Sequence, residues 1–315
     1  MSPQQPCLLI TAGDPCGIGP EVILKALSRP LPSGVRWSVI GDRAVFERTA
    51  HRLRIRWPSR VSFLDCPHTN KFQPGRTSAA AGQAALDYLN TAIRHCRQGL
   101  AQGIVTAPVT KWAVQQAGHR FQGHTEHLAA AFKTKSVVMM FVSQRLRIVL
   151  LTRHIALRQV AAQVRPSTIV ETIRMAAHGL RTQFGVRHPR LAICGLNPHG
   201  GEQGAFGDEE RRILAPALRT LQRQRLHVDG PFAADGFFAQ PSTCDAVVCW
   251  YHDQGLIPFK MAARDRGCQV TLGLPIVRTS PDHGSALDLA GRGTANPGSM
   301  RYAMHTAALL VRHAH

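Results

Sequence analysis

The chain has 315 residues, 44% of them hydrophobic, so it is long enough for two domains with sizeable cores and too long for one small domain. Its formal charge of +19 raises a nucleic-acid-binding module as one alternative. Aromatic residues make up 6% of the chain and the arginines are spread from Arg29 to Arg312, which disfavours a surface that stacks bases.

The N-terminal residues 1–11 lack the basic segment and long apolar stretch of a secretion signal. The most apolar region, residues 136–151, is interrupted by Gln144, Arg145 and Arg147, whereas a membrane-spanning helix needs about 20 predominantly apolar residues. We therefore expect a cytoplasmic protein that does not enter the membrane. The 8 cysteines include no CxxC pair, which favours reduced, buried thiols.

Short apolar runs that are typical of strands alternate along the chain with amphipathic stretches that are typical of helices. The predicted strands are residues 7–12, 37–41, 103–106, 136–142, 146–151, 190–195 and 246–251. The predicted helices are residues 20–28, 79–97, 166–184, 208–223 and 299–312. This alternation predicts an α/β fold with largely parallel sheets. Two strands, 136–142 and 146–151, are too close in sequence for a helical crossover, so we expect an antiparallel hairpin there.

The common phosphate-binding loops are absent from the sequence. There is no GxxxxGK[ST] motif, and Gly13, Gly17 and Gly19 have the wrong spacing for GxGxxG. If the protein binds a dinucleotide, it does so without the Rossmann motif.

Three histidines follow three predicted strands, and ligands of open α/β sheets bind beyond the carboxyl ends of strands. His154 lies in TRHIAL, His199 in NPHGGEQG and His252 in YHDQG. Each alone is more simply a hydrogen-bonded structural residue, but three together favour a catalytic metal site with an open coordination position. Asp235 and Asp253 are candidates for a general base or for orienting a ligand, and either could equally be a turn or capping residue.

Further polar residues indicate a small anionic substrate. His124 and Thr125, in GHTEH, are expected at a loop-to-helix junction, where backbone N–H groups and a hydroxyl can bind phosphate or carboxylate; Thr125 could also be the N-cap. Lys260 and Arg278 could neutralise the same charge, although either alone is more often a solvated surface cation.

Seven ordered motifs connect the chain to a known family: ITAGDPCGIGPEV, TAPVTK, GHTEHLA, TRHIALRQV, GLNPHGGEQGAFGDEE, YHDQGLIPFK and TLGLPIVRTSPDHGSALDLAGRG. Over nearly its whole length the chain resembles the 4-hydroxythreonine-4-phosphate dehydrogenase family. The resemblance implies two α/β/α domains with a cleft between them and a homodimer. It also implies a divalent metal near the subunit boundary, with His154, His199 and His252 as its ligands.

The resemblance also implies roles for other residues. The implied substrate contacts are His124, Thr125, Lys260, Arg278 and Gln269, the last of which stands where the family usually has Asn. The segment PDHGSALDLAGRGTANP is similar to the nucleotide-binding loop of isopropylmalate and isocitrate dehydrogenases, which share this fold and bind NAD without a Rossmann motif. The implied cofactor contacts there are Asp282, His283, Gly284 and Asp288. Residues 1–125 with 270–315 would form the nucleotide-binding domain, and residues 126–269 the metal- and dimer-forming domain.

The implied reaction is the NAD-dependent oxidation of 4-phosphohydroxy-L-threonine to 2-amino-3-oxo-4-phosphooxybutanoate. This product decarboxylates to 3-amino-2-oxopropyl phosphate on the route to pyridoxal 5'-phosphate. Related members oxidise threonate or erythronate 4-phosphate or an aromatic cis-dihydrodiol, and these stay as alternatives. Three imidazoles favour zinc or another transition metal over magnesium, with manganese and cobalt also open. The choice between NAD and NADP is left open, as is the identity of the general base.

Overall fold

The computed structural model describes residues 5–240 and 243–314. The strands of this part of the chain are β1 (Cys7–Thr11), β2 (Arg36–Gly41), β3 (Val61–Asp65), β4 (Gly103–Thr106), β5 (Val138–Ser143), β6 (Arg147–Leu150), β7 (Arg190–Cys194), β8 (His227–Phe232), β9 (Ala246–Cys249), β10 (Gly267–Leu272) and β11 (Val277–Pro281). Its helices are α1 (Gly19–Leu27), α2 (Arg43–Leu53), α3 (Ala79–Arg97), α4 (Lys111–Gln116), α5 (His124–Ala131), α6 (Val160–Gln163), α7 (Pro166–Thr182), α8 (Ala215–Arg223), α9 (Ala234–Ala239), α10 (His252–Ala263) and α11 (Gly298–Ala314). The predicted α/β class is confirmed.

The chain divides into two compact units. Unit 1 consists of Met1–Val137 with Asp265–His315, and unit 2 is Val138–Arg264. The two ends of the chain therefore share one unit, and the middle of the chain forms the other. The functions predicted for the two domains stay predictions.

Unit 1 contains a sheet with the strand order β3-β2-β1-β4-β11-β10, in which β10 is antiparallel to β11 and the other pairs are parallel. The central strands are almost completely buried, which explains their continuous apolar sequences. Helix α3 packs against β1 and β2, and α11 packs against β10, β11 and α1. Helix α3 begins where the Ser78 hydroxyl accepts a hydrogen bond from Ala81 N at 3.3 Å.

Unit 2 contains the strand order β5-β6-β9-β7-β8. Strands β5 and β6 pair antiparallel, with Met140 opposite Val149, so the predicted hairpin is confirmed. The remaining neighbours are parallel. Helix α10 buries Phe259 and Leu256 against β5, β6 and β9. This packing places the carboxyl ends of three adjacent parallel strands, β6, β9 and β7, side by side.

No helix among residues 5–240 and 243–314 combines the length and the apolar composition that crossing a bilayer requires.

Candidate active site

A buried arginine in unit 1 is surrounded by neutral hydrogen-bond acceptors. Arg278, on β11, is 3% exposed. Its Nη2 donates to Thr106 Oγ1 on β4 at 2.7 Å, and its Nη1 donates to Thr271 Oγ1 on β10 at 3.0 Å and to Gln269 Oε1. Burial lowers the pKa of Arg278 to about 10, an effect that the negative charge of Glu126 opposes. Arg278 therefore stays protonated at neutral pH.

His124 belongs to the same polar neighbourhood. It is the first residue of α5, which confirms the predicted loop-to-helix junction, but the N-cap position is Gly123, so the alternative capping role of Thr125 is wrong. Burial, followed by the positive charge of Arg278, holds the pKa of His124 well below 6.5. The imidazole is therefore neutral at physiological pH.

Two buried nitrogens in this neighbourhood are unpaired. Arg278 Nε and His124 Nε2 are both shielded from solvent and find no hydrogen-bond partner among the described residues. Buried polar groups are normally hydrogen-bonded, so such groups point to a ligand that supplies the missing partner. The guanidinium N–H donates, and a neutral imidazole donates from Nε2 in the tautomer that carries its proton there. The ligand that fits both donors is an oxyanion such as a phosphate or a carboxylate. We call these residues, together with Thr106 and Thr271, the anion site.

The lowered pKa of His124 gives stability a specific pH dependence. Above about pH 6.5 neither the folded nor the unfolded chain protonates this imidazole, but below that pH the unfolded chain binds the proton first. The free energy of unfolding should therefore fall as the pH falls, by at most about 1.4 kcal/mol per pH unit from this residue. We expect the advantage of wild type over His124→Gln to shrink between pH 7.5 and pH 5.0 in urea unfolding. Parallel pH profiles for the two proteins would contradict the assignment.

The segment predicted to bind the nucleotide follows β11 in unit 1. Asp282 Oδ1 lies 2.6 Å from Ser299 Oγ, so this carboxylate ties the segment to the first turn of α11. His283 Nδ1 is 2.9 Å from Gly284 O, and its Nε2 is buried without a partner in the described structure. A Cβ atom added at Gly284 would meet no atom within 4 Å, and Asp288 is exposed. The structure therefore leaves open space beside Gly284 and Asp288, while Asp282 has a structural contact.

Two residues of α1 hold the far end of this segment. The Glu21 carboxylate, 3% exposed, accepts hydrogen bonds from Gly293 N at 3.2 Å and Ala295 N at 2.8 Å. Lys25 Nζ donates to Glu21 Oε1, Gly293 O and Ala295 O, each at 2.8 Å. An ion pair on one helix therefore fixes both the donors and the acceptors of the loop.

Replacing Glu21 by Gln keeps the side-chain shape but removes the charge and one acceptor. A hydrogen bond to a buried charged group contributes about 1.5–3 kcal/mol, so we expect the free energy of unfolding to fall by about that amount. Urea unfolding checks this, with the exposed Glu47→Gln in α2 as the matched control. Equal unfolding midpoints for the two variants would show that the ion pair does not stabilise the loop.

The three predicted metal ligands lie beyond the carboxyl ends of the three adjacent strands of unit 2. His154 follows β6, His199 follows β7, and His252, the first residue of α10, follows β9 after two intervening residues. The rings of His154 and His252 are 5.7 Å apart between centroids. His199 instead packs against Phe206, at 6.0 Å between ring centroids. Within the described ranges, no group of three His, Cys, Asp or Glu side chains is close enough to hold a metal ion.

The separation of the His154 and His252 rings and the hydrogen bonding of His252 are both compatible with a shared metal ion. Two imidazoles bound tetrahedrally to one zinc, with Zn–N bonds of about 2.1 Å, have ring centroids roughly 5 Å apart. His252 Nδ1 lies 2.7 Å from Asp253 Oδ1, and a carboxylate that accepts from this nitrogen leaves Nε2 as the ligating atom. Two of the predicted ligands therefore lie next to each other within one chain, with a carboxylate that can orient one of them.

His199 lies on a strained loop. Residues 199–203 all have positive φ, and for Glu202, at 40°, and Gln203, at 55°, this conformation is unfavourable. The buried carboxylate of Glu210 holds the base of the loop by accepting from Leu196 N at 2.7 Å and Asn197 N at 2.8 Å. Glu210 could not be predicted from the sequence, because nothing in the DEE string distinguishes it from a surface carboxylate.

A cleft of about 610 Å³ in unit 2 contains several of the predicted residues. His199, Asp235 and Asp253 line it, together with apolar side chains that include Ile257 and Met261. Asp235 lies in the first turn of α9 and Asp253 in the first turn of α10. Lys260 is exposed on α10. Lys260 and the three histidines thus belong to unit 2, whereas Arg278, Gln269, His124 and Thr125 belong to unit 1.

The chain matches the family model described as pyridoxal phosphate biosynthetic protein PdxA over residues 34–307. A relative from Desulforapulum autotrophicum, named 4-hydroxythreonine-4-phosphate dehydrogenase, is 44% identical over 98% of this chain and 96% of the relative. The solved structure of 4-hydroxythreonine-4-phosphate dehydrogenase from Klebsiella pneumoniae is similar with a TM-score of 0.88 and 34% identity, covering 99% of both chains. That of a terephthalate 1,2-cis-dihydrodiol dehydrogenase from Burkholderia xenovorans is similar with a TM-score of 0.65 and 30% identity, covering 93% of this chain and 94% of the other.

Proposed function

The chain belongs to the pyridoxal phosphate biosynthetic protein PdxA family and is an oxidoreductase, and from this membership we propose that it oxidises 4-phosphohydroxy-L-threonine with NAD. The substrate C3 loses a hydride and its hydroxyl loses a proton, which gives 2-amino-3-oxo-4-phosphooxybutanoate. This β-keto acid then loses carbon dioxide to form 3-amino-2-oxopropyl phosphate. We further propose that the reaction takes place in the cytoplasm and contributes to pyridoxal 5'-phosphate synthesis.

The observation that carries this proposal is the anion site. Arg278 is buried with its charge intact, and the side chains that hold it are neutral. The negative charge of Glu126 offsets part of the cost of burying this cation, and an anionic ligand would complete its environment. A phosphate ester supplies both the charge and the several oxygens that Arg278 Nε, His124 Nε2 and the Thr106 and Thr271 hydroxyls can bind. Lys260, Thr125 and Gln269 are proposed as additional contacts.

The proposed metal ligands are His154, His252 and His199. The first two are already adjacent, and His199 completes the set when two copies of the chain form a homodimer. When bound, a divalent metal, with zinc preferred by imidazole ligands, supplies Lewis-acid polarisation of the C3 hydroxyl. Asp253 accepts from His252 Nδ1 and thereby fixes the orientation of that ring. Because Asp253 has this role, Asp235 is the better candidate for the proton acceptor.

A dehydrogenase of this family requires a nicotinamide cofactor as the hydride acceptor. We assign its binding to the loop of residues 282–297, with His283, Gly284 and Asp288 as contacts and Asp282 as the residue that anchors the loop. Exposed Asp288 favours NAD over NADP, because a carboxylate accepts from a ribose hydroxyl and repels a 2'-phosphate.

The test is an assay of NADH formation with purified substrates under identical conditions. We expect turnover of 4-phosphohydroxy-L-threonine and little turnover of threonate or erythronate 4-phosphate. An aromatic cis-dihydrodiol is the second candidate, because a dehydrogenase named for such a substrate is 30% identical. Preference for a diol without a phosphate would overturn the proposed substrate and leave the family assignment intact.

A further inference from the structure

Trp250, directly after β9, connects the three histidine-bearing segments of unit 2 through its backbone and its indole. Its carbonyl accepts from Thr152 N at 3.1 Å and from Thr152 Oγ1 at 2.6 Å, two residues before His154. Its indole Nε1 donates to Cys194 O, at the end of β7, at 2.7 Å. Trp250 is fully buried, so these contacts are shielded from competing water.

The side chain of Gln254 completes this arrangement. Its Oε1 accepts from Trp250 N at 2.8 Å, and its Nε2 donates to Gly195 O at 2.7 Å. Trp250 precedes His252 by two residues, and Gly195 is the residue from which the loop to His199 departs. One amide therefore spans the carboxyl ends of β9 and β7 and fixes the spacing between two of the segments.

We propose that Gln254 is a positioning residue that fixes two histidine-bearing segments of one chain, that of His252 and that of His199, each of which contributes a ligand to a metal site. This inference rests on the proposed function, because it assumes that these histidines bind a metal. The amide oxygen accepts a hydrogen bond at the end of β9, and the amide nitrogen donates one at the end of β7. Gln254 therefore bridges the two strand ends. A carboxylate could not replace it, since the position opposite Gly195 O needs a donor.

The decisive variant is Gln254→Glu, which keeps the size and the acceptor for Trp250 N but places an oxygen against Gly195 O. Gln254→Ala, which removes both hydrogen bonds, is the second variant. Gln224→Glu, exposed beyond α8 in the same unit, introduces the same charge and is the matched control. Circular dichroism establishes that each variant is folded.

The first measurement is hydrogen exchange of the metal-free protein. We expect faster exchange in residues 195–204 of Gln254→Glu and unchanged exchange in the strands of unit 1. The second is cobalt(II) binding, followed by the visible spectrum of the bound ion. Displacing groups that orient metal ligands lowers metal affinity about 10- to 100-fold, so we expect a loss in that range and an altered spectrum. The control should match wild type in both.

Kinetics give a third measurement with a distinctive result. We expect kcat to fall about 10- to 100-fold while the KM for the phosphorylated substrate changes less than about threefold, since Arg278 is untouched. Faster exchange with unchanged cobalt(II) affinity, or no change in exchange, would overturn the role of Gln254 alone. A wild-type protein that binds no cobalt(II) and oxidises none of the tested substrates would overturn the proposed function and this inference with it.

Discussion

Replacing Arg278 by Met should lower kcat/KM for the phosphorylated substrate by about 30- to 3000-fold. Truncating one partner of a buried, hydrogen-bonded charge pair costs about 2–5 kcal/mol, and each 1.4 kcal/mol is tenfold. The loss should come from binding and not from unfolding. Methionine fills a similar volume with apolar atoms, so the substitution leaves no large cavity, and urea unfolding of the variant measures any change in stability separately.

Three comparisons distinguish this explanation from general damage. Arg278→Lys keeps the charge but loses the planar guanidinium that bonds to Thr106 and Thr271, so its loss should be intermediate. The exposed Arg97→Met, also in unit 1, should behave as wild type. Inorganic phosphate should raise the melting temperature of wild type and not that of Arg278→Met. A methionine variant with wild-type KM and kcat would show that Arg278 does not bind the substrate.

The strands that could be predicted from the sequence are those whose side chains are mostly apolar. All seven predicted strands occur in the structure, with ends that differ by at most two residues, because each is a buried run such as Ala246–Cys249. The predicted helices are also present, since their apolar positions recur at helical spacing. The 208–223 helix is a π-helical turn, Glu210–Leu214, that leads into α8.

Four strands were missed. Strand β3 is at the edge of the sheet of unit 1, and only its first residue, Val61, is buried. Strand β8 is at the edge of its sheet, contains Gly230 and Pro231, and is largely exposed, so it lacks an apolar pattern. Strands β10 and β11 carry Gln269, Thr271 and Arg278 inside a buried sheet. Thr271 and Arg278, which belong to the anion site, interrupt the apolar sequence of these two strands. A hydrophobicity pattern therefore does not detect them.

The residues of the candidate site that could be predicted from the sequence are those that closely follow a recognisable strand. The rule that ligands bind beyond strand ends located His154 and His252, and the structure brings their rings together. The contacts of Arg278 with Thr106 and of Gln254 with Gly195 join residues that are 172 and 59 positions apart. The spacing of residues along the chain does not indicate such pairs. They can be identified only from the three-dimensional structure.

Replacing His252 by Asn should remove the metal and lower kcat by about 1000-fold, because Lewis-acid stabilisation of this kind contributes several kcal/mol to the transition state. Elemental analysis of protein purified without an affinity tag measures the metal content. His178→Asn, exposed on α7 of the same unit, is the matched control and should retain both metal and activity. Asp253→Asn should weaken metal binding about tenfold, because this exposed carboxylate only orients the ring.

The double variant His154→Asn with His252→Asn provides the sharper test. If the two imidazoles bind one ion, either substitution alone empties the site, and the second removes nothing that is still present. The losses in kcat should therefore be far from additive, as they are for residues that act as a unit. If the two histidines had separate roles, the logarithms of the two losses would sum. An additive result, or a His252→Asn variant with full metal content, would show that the adjacent rings do not share a metal.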